Sequence, residues 1–285
     1  MRPEYHVALD VGGTNARIAM MQSDGSGSAT IVEQGKLQVP AAYEDGISAI
    51  LGLISEITGD RIVAGVGGAF AGQVQADGTL RAATNIPDWN NKPIRNDLEQ
   101  HLHVPVKLIN DVAAAAMGEA AFGLARDIQG FVFMIWGTGI GGAKVERLLD
   151  RFHITTFEPG HHIANPEGAP CTCGLWGCPE MMIGGGALSE RLARDLSDIK
   201  DDDPVWDDVA RIAGQTVINT LAFHQARLLV FGGGLILKRP FLLDKITQIV
   251  SVQQDIYVMP DIKITKLGDD AALYGAVALH KVELI

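Results

Sequence analysis

The feature that most limits the possible folds is a strand, glycine turn and strand plan that occurs twice. "YHVALDVGGTNARIAMMQ" joins two apolar stretches through Gly12 and Gly13, and "GFVFMIWGTGIGGAKVERLL" repeats the plan from Gly130 onwards. The residues after each turn, such as "ARIAMM", are typical of a returning strand of a hairpin. The repeat therefore indicates a duplicated unit built on two glycine hairpins.

Between and after the hairpins, strand patterns alternate with helix patterns. "RIVAGVGGAF" and "VPVKLIND" predict short buried strands, and "DVAAAAMGEAAFG" predicts a helix capped by Asp111 and ended by Gly123. "DDDPVWDDVARIAGQTVINTLAFHQ" predicts a second helix, with Asp203 as its cap and Pro204 at its first position. "ARLLVFGGGL" is typical of a strand and turn, and "DAALYGAVALHKV" of a closing helix. The alternation predicts an α/β protein.

Composition narrows the class of protein. The 285 residues are 47% hydrophobic, which is enough for a substantial core. No apolar run approaches the ~20 residues that cross a bilayer, and the amino-terminal residues enter a strand pattern at once. We therefore expect a soluble cytoplasmic protein without a membrane partner. The net charge of −11 argues against a nucleic-acid partner, and the acidic run from Asp195 to Asp208 is read as a solvated surface.

The glycine turns are candidate phosphate sites. Glycines let backbone N–H groups approach a phosphate closely, and "DVGGTN" and "GTGIGG" both fit that use. Neither is a dinucleotide fingerprint, because no helix follows the glycines, and no lysine stands in GxxxxGK[ST] form. A glycine hairpin can equally be only a hairpin. The third run, "FGGG" at residues 231–234, makes phosphate binding the stronger interpretation.

All three cysteines of the chain lie within eight residues. His161 is followed after ten residues by Cys171, then by Cys173 and Cys178. One imidazole and three thiolates form a closed tetrahedral set, as in structural zinc sites. Three reduced and inert thiols remain the alternative, and a disulfide leaves one cysteine unpaired. His162 is a rival ligand that the local sequence cannot exclude.

The three glycine motifs carry a first resemblance. "LDVGGTNARIA", "WGTGIGGAKV" and "LVFGGG" resemble the phosphate-1, phosphate-2 and adenosine motifs of the actin-like ATPase and sugar kinase superfamily. The resemblance implies a two-lobed actin-like ATPase (ribonuclease H-like) fold with an interdomain active-site cleft that binds ATP. Asp10 would act through Mg²⁺ and water. The implied nucleotide-binding residues are Gly12, Gly13 and Thr14, then Gly137, Thr138 and Gly139, and finally Gly232, Gly233 and Gly234.

The cysteine segment carries a more specific resemblance. "EPGHHIANPEGAPCTCGLWGCPE" is similar to the signature of the ROK family (repressors, open reading frames and sugar kinases), whose E-x-G-H element selects His161 over His162. In that family the zinc loop shapes a sugar pocket. The resemblance implies sugar contacts from Asn110 and Asp111, with Asp111 as catalytic base. It also implies sugar contacts from Glu158, His161 and Glu180. From its position alone, Asp111 can equally be a helix cap.

The resemblance also sets expectations for the domains. We expect a small lobe over residues 1–112, with residues 270–285 packed back on it, and a large lobe with the zinc loop over residues 113–269. A homodimer is expected from family habit. The family pattern is not followed at residues 69–72, at Phe157 and at Gly184–Gly185, which border the sugar pocket. Trp89, within "TNIPDWNN", either lines that pocket or anchors its loop.

The leading hypothesis is an ATP-dependent kinase of a glucose-like hexose, with Mg²⁺, structural Zn²⁺ and an aspartate base. Kinases of N-acetylmannosamine, N-acetylglucosamine, fructose or allose are alternatives within the family. A non-catalytic sugar-binding regulator is the alternative of another class. A repressor is disfavoured because nine residues precede Asp10, too few for a helix-turn-helix domain. The phosphate donor, ATP or polyphosphate, stays open.

Overall fold

The computed structural model describes residues 4–23, 28–83, 86–252 and 258–285. Thr84 and Asn85, the first residues of "TNIPDWNN", lie outside these ranges. The chain divides into two compact units, which are described separately below. The first comprises Met1–Asp127, Leu148–His153 and Asp270–Ile285, and the second comprises Ile128–Arg147 and Ile154–Asp269.

The strands of the described residues are, in chain order, β1 (Glu4–Val11), β2 (Asn15–Ser23), β3 (Ala29–Gln38), β4 (Val63–Phe70), β5 (Gln73–Val74), β6 (Leu80–Ala82), β7 (Val106–Asn110), β8 (Gly130–Trp136), β9 (Ile140–Leu148), β10 (Arg151–Phe157), β11 (Leu228–Gly232), β12 (Asp261–Ile264) and β13 (Glu283–Leu284). The helices are α1 (Tyr43–Thr58), α2 (Ile94–Leu102), α3 (Asp111–Phe122), α4 (Pro179–Ile183), α5 (Gly185–Leu192), α6 (Val205–Phe223), α7 (Gly234–Lys238), α8 (Phe241–Ser251) and α9 (Ala271–Ala278).

The first unit is built on a five-stranded sheet of order β3-β2-β1-β4-β7. Strands β1 and β2 form the predicted antiparallel hairpin, whereas β4 runs parallel to both β1 and β7. Helices cover both faces, so the central strand β1 is apolar at consecutive positions such as Val7, Ala8 and Leu9, all fully buried. Helices α1 and α2 pack on one core cluster, and α9 packs on the other.

Helix α3 belongs to the first unit because it packs closely against α9. Their backbones touch, since a Cβ added at Gly275 would overlap the carbonyl of Ala114. The first unit therefore continues past residue 112, where the sequence interpretation had ended the small lobe, and α9 lies on β1 and β4 of the same unit. The start of α3 also differs from expectation. Asn110 is the cap, accepting from the backbone N–H groups of Val112 and Ala113, whereas Asp111 is the first helical residue.

The second unit contains the repeated hairpin, β8 and β9, which pair antiparallel as predicted. Strand β11 runs parallel to β8 on one side and to β12 on the other. Helices α6 and α8 bury their apolar faces in a core that includes Trp136, Trp206 and Phe231. Helix α6 begins at Val205, whose N–H donates to the Asp203 carboxylate at 3.0 Å, one residue later than predicted.

Across the described ranges, none of the helices is both long enough and apolar enough to span a lipid bilayer.

Candidate active site

The first glycine turn is flanked by a three-residue charge cluster. Asp10 lies opposite Arg17 in the β1–β2 register. Two nitrogens of Arg17, Nε and Nη2, lie 3.1 and 2.5 Å from Asp10 Oδ2. The third, Nη1, lies 3.0 Å from Asp270 Oδ1. Two carboxylates and one guanidinium leave a net negative charge beside the turn. Arg17 and Asp270 were not anticipated, although the predicted hairpin register could have paired Arg17 with Asp10.

The turn itself is ordered by backbone bonds. The N–H of Gly12 donates to the carbonyl of Asn15 at 3.0 Å, and the carbonyl of Thr14 accepts from Val39 at 2.8 Å. Gly12 and Gly13 are half-buried, whereas Thr14 is exposed. The turn therefore offers accessible backbone close to the Asp10 carboxylate, which is the arrangement that phosphate and its counter-cation require.

Asn110 and Asp111 lie where β7 ends and α3 begins. The Oδ1 atom of Asp111 accepts from Asn110 Nδ2 and from the Val112 N–H, both at 2.9 Å. Asn110 Nδ2 also donates to the Gly72 carbonyl at 3.1 Å. Gly72 has φ +137°, and a Cβ there would overlap the Ala82 carbonyl. The unusual segment at residues 69–72 thus helps to hold Asn110, which in turn holds the Asp111 carboxylate.

The second glycine turn is held by a neighbouring segment. The carbonyls of Gly137 and Thr138 accept from the N–H groups of Gly185 and Gly186 at 2.8 and 3.0 Å. The Ile140 N–H, directly after Gly139, donates to Glu180 Oε2 at 2.8 Å. This turn is therefore held by two backbone hydrogen bonds and one carboxylate from the segment at residues 180–186.

The run Gly232–Gly234 joins β11 to α7. Gly233 has φ +94°, and a Cβ there would lie 2.6 Å from the backbone of Trp136. A Cβ at Gly232 would lie 2.7 Å from the ring of Phe133, whereas nothing lies within 4 Å of that position at Gly234. Packing therefore explains two of these glycines, and open space remains only at Gly234 among the three.

His161, Cys171, Cys173 and Cys178 come together as a four-ligand cluster whose donor atoms all lie within 4.8 Å of one another. The Sγ atoms of Cys173 and Cys178 are 3.6 Å apart, and Cys171 Sγ lies 3.5 Å from His161 Nδ1. Tetrahedral ligands at zinc bond lengths of about 2.3 Å lie roughly 3.5–3.8 Å apart. The cluster thus fits structural zinc.

The thiols of Cys173 and Cys178 differ in acidity when no cation is bound beside them. Burial, followed by hydrogen bonding with Cys173 and Cys171, raises the pKa of the Cys178 thiol. Hydrogen bonding to the backbone at Leu175 lowers the pKa of Cys173. A buried thiolate at Cys178 needs a cation beside it, and a coordinated thiol loses its proton.

The two adjacent histidines have different partners. Nε2 of His161 points to Glu180 Oε1 at 3.4 Å, while its Nδ1 faces the sulfurs. His162 is engaged elsewhere, because Nδ1 lies 2.9 Å from the Pro159 carbonyl and Nε2 lies 2.9 Å from Asn219 Nδ2. Burial lowers the pKa of His162. His161 is therefore the histidine that the fold brings to the cysteines. The partner role of Asn219 had no signal in the sequence.

The third predicted sugar contact, Glu158, precedes this loop. Its carbonyl accepts from the His161 N–H at 3.0 Å. Partial burial of the carboxyl raises the pKa of Glu158, the charge of His161 opposes this shift, and the charge of Glu180 adds to it. Glu158, His161 and Glu180 thus form one electrostatically coupled group in the second unit.

Trp89 and Phe157 are both packing residues. Trp89 is fully buried, donates from Nε1 to the Pro40 carbonyl at 3.2 Å and meets Tyr43 edge-on. It anchors its loop, so the pocket-lining alternative does not hold. Phe157 stacks on His224 with 4.3 Å between ring centroids and occupies the space beside Gly142 that a Cβ would need.

Comparison with known proteins shows the family to which the chain belongs. A sequence model of the ROK family matches residues 6–283, and the chain therefore belongs to the ROK family. The structural neighbours include ROK kinases of the two-domain actin-like ATPase fold, which confirms the predicted fold class.

Curated relatives are sugar kinases. A glucokinase of Thermotoga maritima is 32% identical over 64% of this chain, and the alignment spans 58% of that enzyme. A glucokinase of Halalkalibacterium halodurans is 26% identical over 99% of this chain and 96% of its own length. An N-acetylmannosamine kinase of Escherichia coli is also 26% identical, covering 97% of this chain and 98% of its own. These relatives support a sugar kinase.

Solved structures agree on the fold. A ROK family glucokinase from Streptomyces griseus, in complex with glucose and AMPPNP, superimposes with a TM-score of 0.79 at 26% identity, over 96% of this chain and 98% of that one. A ROK family transcriptional regulator superimposes with a TM-score of 0.80 at 19% identity, over 97% of this chain and 78% of that one. The fold is thus shared by kinases and regulators, and only the site residues can separate them.

Proposed function

We propose that this chain is an ATP-dependent hexose kinase, and in its simplest form a glucokinase. The observation that carries the proposal is Asp111, a carboxylate at the carboxyl end of a parallel strand whose Oδ1 is held by Asn110 and by the start of α3. Strand ends of this kind are where α/β sheets bind ligands. The retained nucleotide turns and the coupled group of Glu158, His161 and Glu180 support it.

In the proposed reaction Asp111 accepts the proton of a sugar hydroxyl as that oxygen attacks the γ-phosphorus of ATP. The bond from the γ-phosphorus to the β–γ bridging oxygen breaks, ADP leaves, and the products are a sugar phosphate, ADP and a proton. Asn110, whose Nδ2 donates to the Gly72 carbonyl, orients the Asp111 carboxylate. Its contact with a neighbouring hydroxyl would replace one of the four hydrogen bonds that its amide makes in this structure. Such transfer depends mainly on positioning and on charge neutralisation, so one base and few other groups suffice.

The remaining residues bind and orient. The turn at residues 12–14 and the turn at residues 137–139 would contact the phosphates, with residues 232–234 against the nucleoside. Mg²⁺, when bound with ATP, neutralises phosphate charge, and Asp10 is the residue assigned to it through water. Glu158 and Glu180 accept hydrogen bonds from sugar hydroxyls. His161 contributes through Nε2, because its Nδ1 faces the cysteines.

Zinc has a structural part in this proposal. His161 and the three cysteines would hold it, and the fully protein-derived ligand set leaves no coordination position for a reacting water. Its contribution is to fix the loop that carries His161 and leads directly to Glu180.

A sugar panel tests the proposal. ADP release with Mg·ATP is measured for glucose, mannose, fructose, allose, N-acetylglucosamine and N-acetylmannosamine. Glucose is expected to give the highest kcat/KM. Asp111→Asn is expected to lower kcat by a factor on the order of 10² to 10⁴ with little change in sugar affinity. The matched control is Asp60→Asn, at an exposed position outside the site. An unchanged kcat in Asp111→Asn would remove Asp111 from the mechanism.

A second candidate is an N-acetylhexosamine kinase. The chain is 26% identical to the N-acetylmannosamine kinase of Escherichia coli, the same identity as to the glucokinase of Halalkalibacterium halodurans. The same panel separates the two, because preference for an N-acetyl sugar would replace glucose as the substrate. Sugar binding without any ADP release, in metal-loaded and folded protein, would instead indicate the non-catalytic regulator.

A further inference from the structure

The segment from Glu180 to Gly186, here called the connector, runs along the second glycine turn. It binds that turn at three places: Gly185 N–H to the Gly137 carbonyl, Gly186 N–H to the Thr138 carbonyl, and the Glu180 carboxylate to the Ile140 N–H. The position of the turn is therefore set by the connector rather than by the hairpin alone.

The connector is also joined to the four-ligand cluster. It starts two residues after Cys178, which is the residue immediately before helix α4. The Ile183 carbonyl accepts from Trp136 Nε1 at 2.8 Å and so fixes the connector to the end of β8. One short helical turn thus links a cysteine of the cluster to the backbone of the glycine turn.

The Glu180 side chain bridges the same two features. Its Oε1 lies 3.4 Å from His161 Nε2, and its Oε2 lies 2.8 Å from the Ile140 nitrogen. A Cβ added at Gly139 would lie 2.5 Å from Glu180 Oε2, and its nearest neighbours would all be atoms of the Glu180 carboxylate. A side chain at position 139 would therefore have to displace the Glu180 carboxylate.

We propose that Glu180 is a positioning residue for the nucleotide, which holds the turn at residues 137–140 in its phosphate-receiving shape and links it to the His161–cysteine cluster. The inference rests on the proposed assignment of this turn to ATP. A residue that only contacted sugar would affect sugar binding alone. Glu180 is instead expected to govern nucleotide affinity when no sugar is present.

The test is the Kd of AMPPNP with Mg²⁺, measured by titration calorimetry on the full metal-loaded chain without sugar. Glu180→Ala is expected to weaken binding about tenfold, because it removes a charged acceptor from the Ile140 N–H. Glu180→Gln is expected to stay within about twofold, because its amide oxygen can still accept that bond. The matched control, Glu190→Ala, changes an exposed glutamate of the adjoining helix α5 and is expected to bind as the parent does.

Glu180→Gln also separates the two roles of this side chain. When the new amide oxygen accepts from the Ile140 N–H, the NH₂ group of the same amide faces His161 Nε2. Because His161 Nδ1 faces the cysteines, Nε2 carries the ring proton, and two donors then face each other. Sugar affinity is therefore expected to fall in Glu180→Gln while AMPPNP affinity is retained. Metal content and the thermal midpoint of each variant show whether a loss of affinity reflects a loss of fold.

A double-mutant cycle with Gly139→Ala gives an independent readout. In the parent, Gly139→Ala is expected to weaken AMPPNP binding about tenfold by displacing the Glu180 carboxylate. In the Glu180→Ala background, Gly139→Ala is expected to weaken AMPPNP binding less than about threefold, because the carboxylate that it would displace is absent. Equal losses in both backgrounds would contradict the coupling.

The outcomes separate this inference from the proposed function. Parent-like AMPPNP affinity in Glu180→Ala overturns the inference even if the chain phosphorylates a sugar. A tenfold loss rescued in Glu180→Gln supports it even if none of the panel sugars is phosphorylated. A parent chain that binds no AMPPNP overturns both the phosphate assignment of the turn and the positioning role of Glu180.

Discussion

The two glycine hairpins follow one sequence plan but are secured by different interactions. The turn of β1 and β2 has its own backbone hydrogen bonds and, beside it, a charge cluster in which Arg17 joins Asp10 to Asp270. At the turn of β8 and β9, the backbone of the connector and one carboxylate hold the turn. A repeated sequence pattern thus specifies a hairpin without specifying how its turn is anchored. The first anchor should respond to salt, and the second to packing and to the metal cluster.

The largest expected difference concerns packing behind the second hairpin. Gly233→Ala places a Cβ against the Trp136 backbone at φ +94°, whereas Gly234→Ala meets nothing within 4 Å. We expect Gly233→Ala to lower the free energy of unfolding by about 3 kcal/mol. Gly234→Ala should change it by less than about 1 kcal/mol. Urea unfolding of both variants provides the comparison, and equal losses would refute the packing explanation for Gly233.

Of the two glycine turns, only the second is expected to respond to removal of the metal. After chelation, or in Cys171→Ser, amide exchange at residues 137–140 and 161–186 is expected to accelerate on the order of 100-fold, equivalent to about 2.7 kcal/mol. Exchange in β1 and β2 should stay near the parent rate. Metal analysis before and after chelation is the control. Uniform acceleration in both hairpins would show that the cluster supports the whole chain rather than the connector.

The charge cluster of the first hairpin is expected to contribute less to stability than the metal cluster does, and its contribution is expected to depend on salt. Arg17→Ala is expected to destabilise the chain by about 1–2 kcal/mol, because its partners Asp10 and Asp270 lose charged hydrogen bonds in a partly exposed setting. The loss should shrink as NaCl rises from 0.05 to about 0.5 M. The exposed i,i+3 partner of Asp208, Arg211, offers the control Arg211→Ala, with an expected effect below about 0.5 kcal/mol. A salt-independent loss in Arg17→Ala would indicate packing instead of charge.

The smallest expected effect is a pH dependence of stability that comes from His6, in strand β1 of the first hairpin, and His280. His6 of β1 is buried and lies 4.9 Å, between ring centroids, from His280. Burial is the first cause that lowers the pKa of each ring below 6.5. For His6, His280 and Lys281 reinforce the lowering and Glu4 opposes it. For His280, a hydrogen bond with the backbone of Val66 and the charge of Glu4 oppose the lowering of the pKa, whereas Lys107 reinforces it.

A histidine with a lowered folded pKa takes up a proton more readily in the unfolded chain. Stability from the pair is therefore complete above pH 6.5 and is lost as the pH falls from there through the folded pKa values. Urea midpoints between pH 8 and 5 should fall less steeply in His6→Gln than in the parent. His101→Gln, at an exposed position, should keep the parent slope. Parallel slopes in all three proteins would contradict a role for the pair.

Local features of the chain were readable without coordinates. Apolar periodicity and glycine, proline and cap residues predict both hairpins, strand β1 with Asp10 and strand β7, and also the helices that begin at Asp111 and directly after Pro204. These signals act between residues close in sequence, so tertiary contacts are not needed to recognise them. The spacing of His161 and the cysteines was equally local, which is why the four-ligand cluster could be proposed at once.

Features that depend on distant partners needed the folded chain. Helix α3 joins the first unit because its small residues meet α9, more than 150 positions later in the sequence. Asn110 caps α3 through Oδ1 while its Nδ2 donates to Gly72, and a Cβ at position 139 would meet the Glu180 carboxylate. His162 turns to Asn219 and leaves the cluster to His161. In each case the deciding contact joins residues whose proximity no local pattern encodes, since only chain packing brings their atoms within bonding distance.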